Sequence, residues 1–148
     1  MSILVELQER VKTALKAGNK EEVSAVRMIV NELQKAAKEA REPLDESTEQ
    51  QVLKREYKRR LESIEAFRGG GREDLAMHEE YAAGIIEGLL PQQLEEAALG
   101  KLVDQVIAEV GATSARDMGK VMAGIMAKGG TQVDGKLASR LVKERLSA

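Results

Sequence analysis

The sequence predicts an all-α protein of 148 residues, and three observations lead to that class. Apolar residues recur at the three- and four-residue spacing of helices almost everywhere. No run of alternating β-branched residues is long enough to predict a strand. Glycine, proline and capping residues divide the chain into about four helices in an N-terminal domain, residues 1–91, and three in a small tail domain, residues 92–148.

The first two helices are bounded by residues that favour helix ends. The first is predicted to stop at Gly18, because glycine commonly follows a helix. Asn19 is a preferred N-cap and Glu22 follows it by three positions, so the second helix is expected to start there. Pro43 closes the second helix, since proline cannot continue one. The apolar stripes are Leu4, Leu7, Val11 and Leu15 in the first helix and Val23, Val26, Ile29, Val30 and Leu33 in the second.

The next two helices complete the N-terminal domain. Ser47 with Gln50 has the spacing of a capping box, which predicts the start of the third helix. The glycines at 69–71 end it, and a fourth helix runs from about Glu73 to Pro91, where we place the domain boundary. Their apolar stripes are Leu53, Tyr57, Leu61 and Ile64 in the third helix and Leu75, Ala82, Ile85 and Leu89 in the fourth.

Three shorter helices make up the predicted tail domain. The fifth ends at Gly111, and Ser114 with Asp117 indicates the capped start of a sixth. The pair of glycines at 129–130 stops the sixth helix, and Asp134 is a suitable cap for the seventh. The stripes are Leu99, Leu102, Val103, Val106, Ile107 and Val110, then Met118, Val121, Met122 and Ile125, then Leu137, Leu141, Val142 and Leu146.

The composition excludes several classes of function. The chain has no cysteine, which excludes disulfides, a thiolate nucleophile and cysteine-based metal sites, and favours a cytoplasmic location. No apolar run approaches the roughly 18–20 residues of a membrane span, so no membrane partner is predicted. Three aromatic residues are too few for a base-stacking platform. The net charge of −2 conceals a basic end, because residues 111–148 hold 7 Lys and Arg against 3 Asp and Glu.

Motifs of catalysis and cofactor binding are absent or incomplete. Residues 130–136 have the spacing of a phosphate-binding P-loop, but Leu137 stands where the motif needs Ser or Thr, and a helix precedes it where the motif needs a strand. We interpret this segment as a turn between helices. His78 is the sole imidazole and has no recognisable nucleophile signature near it. The sequence therefore predicts no catalytic, cofactor-binding or metal-binding residues.

Basic residues of the tail are the candidate binding groups. Spacings of four and three place Lys136, Arg140 and Lys143 on one face of the last helix, opposite its apolar stripe. Arg145 projects onto the apolar side instead. Lys120 lies among glycines that would let a bulky anion approach, and lysine is a suitable point-charge partner for phosphate. The alternative interpretation is an ordinary solvated helix face.

Two other patterns could serve an interaction. The basic cluster 54–60 contains cations at i,i+4 spacing, which repel one another unless an anion or a partner carboxylate lies between them. Met118, Met122 and Met126 recur every four residues, which is typical of a core stripe but would also suit an adaptable groove for a partner helix.

Five segments carry a resemblance to a known family. They are Asp-Met-Gly-Lys-Val-Met at 117–122, Asp-Gly-Lys-Leu at 134–137, Leu-Leu-Pro-Gln-Gln-Leu at 89–94, the ten residues 55–64 and the pair 27–28. Their order and spacing run through nearly the whole chain. On these segments the sequence resembles the GatB/YqeY family in its free-standing form.

The resemblance implies a helical domain followed by a three-helix tail. In the B subunit of the glutamine-dependent amidotransferase that converts Glu-tRNA or Asp-tRNA to its amide, the similar region is an appended tail that helps to hold tRNA. An RNA-contacting role carries over to Lys120 and Lys136 within the matching motifs. The helical face adds Arg140 and Lys143, and Lys128 precedes a connector that holds fewer cations than the family leads us to expect.

The expected function is a non-catalytic accessory module that binds tRNA weakly and in a salt-dependent manner, near an aminoacyl-tRNA synthetase or an amidotransferase subunit. One alternative is a part of a carbon–nitrogen ligase that uses glutamine as amide-nitrogen donor and acts with other subunits. Another is a protein-interaction adaptor that uses the methionine stripe. No cofactor is expected for the accessory module.

Overall fold

The computed structural model describes residues 2–147, and within them it confirms the all-α class. These residues form seven α-helices and two short 3-10 turns, with no strand. One compact unit ends at Leu90, and a second begins at Pro91; we call them the N-terminal unit and the tail unit. The helices are α1 Ile3–Ala17, α2 Lys20–Ala40, α3 Glu46–Gly69, α4 Glu73–Leu89, α5 Glu96–Val110, α6 Met118–Gly129 and α7 Gly135–Leu146.

Most helix ends lie where local chemistry predicts them. Asn19 accepts a hydrogen bond from the Glu22 N–H, and Asp134 accepts from the second and third residues of α7. Gly18 and Gly111 end α1 and α5 at φ values of 71° and 66°, the left-handed conformation that glycine adopts without steric cost.

Two predicted helix starts are corrected. The N-cap of α3 is Asp45, not Ser47, because the Asp45 carboxylate accepts the Thr48 N–H at 2.7 Å while Ser47 lies already inside the first turn. That hydrogen bond also holds the pKa of Asp45 below its ordinary value. Ser114 and Asp117 do form a capping box, but it opens a 3-10 turn, and α6 begins only after that turn.

The core of the N-terminal unit contains charged groups on α3 that the apolar pattern did not predict. Glu49, Glu56 and Arg60 are all buried. Glu49, only 2% exposed, accepts the N–H groups of Ile3 at 3.1 Å and Leu4 at 2.9 Å. It therefore caps the start of α1, where backbone donors have no partner within the helix.

An ion pair between buried Arg60 and half-buried Glu79 joins α3 to α4. The Arg60 Nη1 lies 2.8 Å from the Glu79 Oε2, whereas the Arg60 Nε is buried without a hydrogen-bond partner. A charge buried in this way is tolerated because its opposite charge lies beside it. One buried apolar cluster of the N-terminal unit consists of Ile3, Leu7, Ala25, Val26, Ile29, Val30, Leu33, Val52, Leu53, Ala82, Ile85 and Ile86, and a smaller one consists of Ile64, Ala76 and Ala83.

The tail unit packs its three helices around a separate core. Gly124 of α6 faces Val106 of α5, and a Cβ at Gly124 would lie 2.6 Å from the Val106 Cγ1. Glycine is therefore required at this position for α5 and α6 to approach as closely as they do. The buried members of this core are Leu99, Val103, Val106, Val121, Ile125, Val133, Ala138, Leu141 and Val142.

Three hydrogen bonds fix the turn before α7. The Leu94 N–H donates to the Gln132 carbonyl at 2.8 Å, the Gln93 side chain donates to the Thr131 carbonyl at 2.6 Å, and the Gln132 side chain donates to the Gln92 carbonyl at 3.0 Å. The two glutamines at 92–93 thus help to hold the connector from which α7 begins.

Candidate nucleic-acid interface

The structure brings Lys136, Arg140 and Lys143 together on the exposed side of α7, and we call these three residues the α7 basic face. They line an open concavity of about 550 Å³. Ser139 and Ser147 add hydroxyl groups to its lining, and Gly135 and Glu144 complete it. Cations and hydroxyls are the side chains that contact phosphate oxygens in nucleic-acid complexes.

The orientation of this face follows from the apolar side of the same helix. Ala138, Leu141 and Val142 are buried against the tail core, which turns the positions between them toward solvent. Asp134 holds the start of the helix by accepting the N–H groups of Lys136 at 3.0 Å and Leu137 at 3.3 Å. The basic residues are therefore held by a packed and capped helix.

The three cations differ in their partners. Arg140 forms one ion pair with Glu96 of α5 and a second, at 3.9 Å, with Glu144 of its own helix. Lys136 and Lys143 form no side-chain ion pair within residues 2–147. Lys136 and Lys143 therefore supply most of the positive charge that the α7 basic face can offer to a ligand.

Lys120 is exposed on α6 and does not line the concavity. Asp117 lies three residues before it, and the pKa of Asp117 is lowered chiefly by hydrogen bonds from the N–H groups of Thr113 and Ser114, with a small contribution from the Lys120 charge. The structure thus places Lys120 as a separate surface cation of the tail unit.

Lys128 has a carboxylate partner. Its Nζ lies 3.0 Å from the Glu109 Oε1, and this hydrogen bond, with a weaker one from Gln105, lowers the pKa of Glu109. Lys128 lies at the end of α6 and is not among the residues that line the concavity. It is therefore less available to a ligand than the lysines of α7.

Arg145 has a different environment from the other basic residues of α7. Its side chain is 31% exposed, its Nε lies 2.5 Å from the Asp104 Oδ1, and its Nη1 donates to the Leu141 carbonyl at 3.4 Å. Arg145 thus ties α7 to α5. Its position on the apolar side of the helix, noted from the sequence, is explained by this partner.

The basic cluster of α3, residues 54–60, is divided by the fold. Arg60 is buried against Glu79, and Arg59 pairs with Glu56 at 2.9 Å. Lys54 is half-buried and has a partner. Arg55 and Lys58 remain exposed, so part of the predicted repulsion is relieved by carboxylates.

The methionine stripe of α6 is mostly core. Met118 and Met122 are partly buried against the tail core, and Met126 is 42% exposed. This arrangement favours the core interpretation of the stripe and leaves little of it for a partner helix.

The segments considered for other chemistry have ordinary structural roles. Residues 130–136 form a 3-10 turn and the capped start of α7, which is the turn between helices that we predict. His78 is half-buried on α4. Among residues 2–147, no three His, Asp or Glu side chains come together in a way that could hold a metal ion. None of the described helices combines the length and the apolar character that a membrane crossing requires.

Comparison with known proteins adds two findings. The family model described as "Yqey-like protein" matches residues 4–146. A curated relative from Pyrenophora tritici-repentis (strain Pt-1C-BFP), named "Altered inheritance of mitochondria protein 41, mitochondrial", is 29% identical over 151 residues. The matched region covers 99% of this chain and 82% of that relative.

Proposed function

The chain belongs to the YqeY-like family, and from this membership and the geometry of α7 we propose that it is a non-catalytic accessory module that contacts the tRNA backbone. The α7 basic face is the docking surface. Lys136 and Lys143 bind phosphates directly, and Arg140 joins them when its pair with Glu96 opens. Lys120 and Lys128 are outlying cations that add to the attraction.

One observation carries the proposal: three cations share a single concave surface, and two of them have no ion-pair partner among residues 2–147. Lys136 and Lys143 lie seven residues, about 10 Å, apart along α7, so they can reach two separate phosphates. The Ser139 hydroxyl is a suitable donor to phosphate oxygens, whereas the Ser147 hydroxyl donates to the Lys143 carbonyl at 2.6 Å.

The binding that this surface supports is weak and depends on salt. Three or four phosphate contacts release only a few counterions, so the slope of log K against log salt is about −3. Contacts to phosphate position a protein on RNA without reading the base sequence. Selection of one tRNA is therefore left to a larger partner, which we take to be an aminoacyl-tRNA synthetase or an amidotransferase subunit.

Filter binding of the purified chain to bulk tRNA at about 50 mM salt tests the proposal. Replacing Lys136 and Lys143 together by alanine should lower the affinity about tenfold or more, since each lost phosphate contact removes part of the electrostatic attraction. The matched control is the double replacement of Lys35 and Lys38, two exposed lysines of α2, which should leave binding close to wild type.

The same preparation examines the alternative of a glutamine-using ligase. The isolated chain should release no glutamate from glutamine, with or without tRNA. Release of glutamate that survives further purification would contradict a non-catalytic role. The cytoplasmic location stays a prediction that belongs to this proposal.

A further inference from the structure

A second concavity lies in the N-terminal unit, where α1 ends and α2 begins. Its volume is about 540 Å³. Its lining comes from the last residues of α1, the connection and the first two turns of α2. The lining residues are Ala14, Leu15, Gly18, Asn19, Lys20, Val23, Ser24 and Arg27.

One wall of this concavity is a row of donors. Lys20, Ser24 and Arg27 follow one another at four and three residues on α2, so they lie along one stripe of the helix. All three are exposed, and neither cation forms an ion pair within the part of the chain that the structure describes. Within the described part of the chain, none of the residues that line this concavity is acidic. This wall therefore attracts an anionic ligand.

The floor of the concavity is apolar. Ala14 and Val23 are buried beneath it, and Leu15 is 52% exposed although it is a large aliphatic side chain. Gly18 leaves open space, since a Cβ built there would meet nothing within 4 Å. The site thus combines an uncovered apolar contact with two cations that lie seven residues apart.

We propose that this concavity docks an acidic peptide segment of a partner protein, with one apolar side chain against Leu15 and carboxylates on Lys20 and Arg27. Seven residues of helix span about 10 Å, which is the length of about three residues of extended peptide. A short peptide with acidic groups on both sides of an apolar residue therefore matches both cations at once.

A peptide fits this site better than RNA does. The site pairs its two cations with exposed apolar surface at Leu15, which an apolar side chain can cover and a phosphate backbone cannot. The apolar floor offers phosphate and ribose no hydrogen bond. The site shares no residue with the α7 basic face, so its failure and the failure of the tRNA proposal are observed separately.

The test uses the full-length chain and a labelled hexapeptide, Glu-Asp-Leu-Phe-Glu-Asp, followed by fluorescence anisotropy and by backbone NMR shifts. We expect saturable binding that shifts the amides of residues 15–27. Two control peptides should each bind at least about tenfold more weakly, because each lacks half of the proposed contacts. They are Gln-Asn-Leu-Phe-Gln-Asn and Glu-Asp-Ser-Ser-Glu-Asp.

Variants of the protein complete the test. Lys20→Glu combined with Arg27→Glu should weaken binding at least about tenfold, since it reverses both cations. Lys35→Glu combined with Lys38→Glu makes the same charge change further along α2 and should bind the peptide as the wild type does.

Four results would overturn the proposal. Absence of saturable hexapeptide binding, or an equal loss of peptide affinity in the two double variants, would remove the peptide site. Shifts of the same amides by an RNA oligonucleotide but not by the peptide would assign the site to RNA. Shifts that depend on protein concentration without peptide would assign it to a second copy of the chain.

Discussion

Arg140 of α7 forms an ion pair with Glu96 in the first turn of α5. The two side chains are more than half exposed, at 56% and 61%, so the pair is of the kind that contributes little to stability. It nevertheless occupies one of the three cations of the α7 basic face. Glu96 therefore competes with any phosphate for Arg140.

Removing this competitor should strengthen tRNA binding. Glu96→Gln leaves Arg140 only its longer contact with Glu144, and we expect a few-fold higher affinity and a salt slope steeper by up to about 1, the contribution of one additional phosphate contact. Glu95→Gln is the matched control, because Glu95 is exposed and makes no side-chain cap hydrogen bond. Equal gains in both variants would show that net charge alone is responsible.

The capping of α1 by Glu49 should contribute strongly to the stability of the N-terminal unit. Glu49→Ala leaves two backbone donors without their partner and opens a space in the core, so we expect a loss of about 2–4 kcal/mol in the free energy of unfolding by urea. Glu49→Gln keeps an acceptor oxygen and should lose less. An alanine variant as stable as the wild type would contradict the capping role.

Because α5 and α6 pack closely at Gly124, adding one methyl group at this position should destabilise the tail unit. Gly124→Ala places a Cβ against Val106 and should cost about 1–3 kcal/mol through overpacking. Val106→Ala removes the opposing methyl groups, so the double variant should lose less than the sum of the two single variants, as residues in contact are coupled. Strict additivity in urea unfolding would show that the two positions do not meet.

Asp117 should contribute to stability in a pH-dependent way. Hydrogen bonds from the Thr113 and Ser114 N–H groups lower its pKa. The ionised carboxylate therefore stabilises the folded state at pH values above its ordinary pKa, which is near 4. This contribution is lost as the pH falls through the lowered value. The difference in Tm between the wild type and Asp117→Asn should therefore be largest above about pH 5 and should shrink toward pH 2. A difference that does not change over this range would contradict the assignment.

Local chemistry explains why so much of the fold could be predicted. Asn19 and Asp134 cap helices through donors two or three residues away, so short sequence spacing is sufficient to find them. Gly18 and Gly111 are equally local signals. Asp45 was missed because Ser47 with Gln50 has the spacing of a capping box, whereas the residue three positions after Asp45 is Thr48, which does not complete that motif.

Partners distant in the sequence could not be predicted. Glu49 and Ile3 are 46 residues apart, and the charged face of α3 gives no sign of which backbone groups it will meet. The face shared by Lys136, Arg140 and Lys143 follows from helical spacing, but the pairing of Arg140 with Glu96 spans 44 residues. Lys128 likewise meets Glu109 only through the packing of α5 and α6. Charge patterns along a chain identify cations, whereas the fold decides which of them are free to bind.

The measurement that tests the central claim most directly is the slope of log K against log salt for bulk tRNA, compared between the wild type and the variant that lacks Lys136 and Lys143. We predict a slope of about −3 for the wild type and a slope shallower by about 2 for the variant, because two phosphate contacts are lost. Identical slopes for the two proteins would contradict the assignment of the α7 basic face as the tRNA-contacting surface.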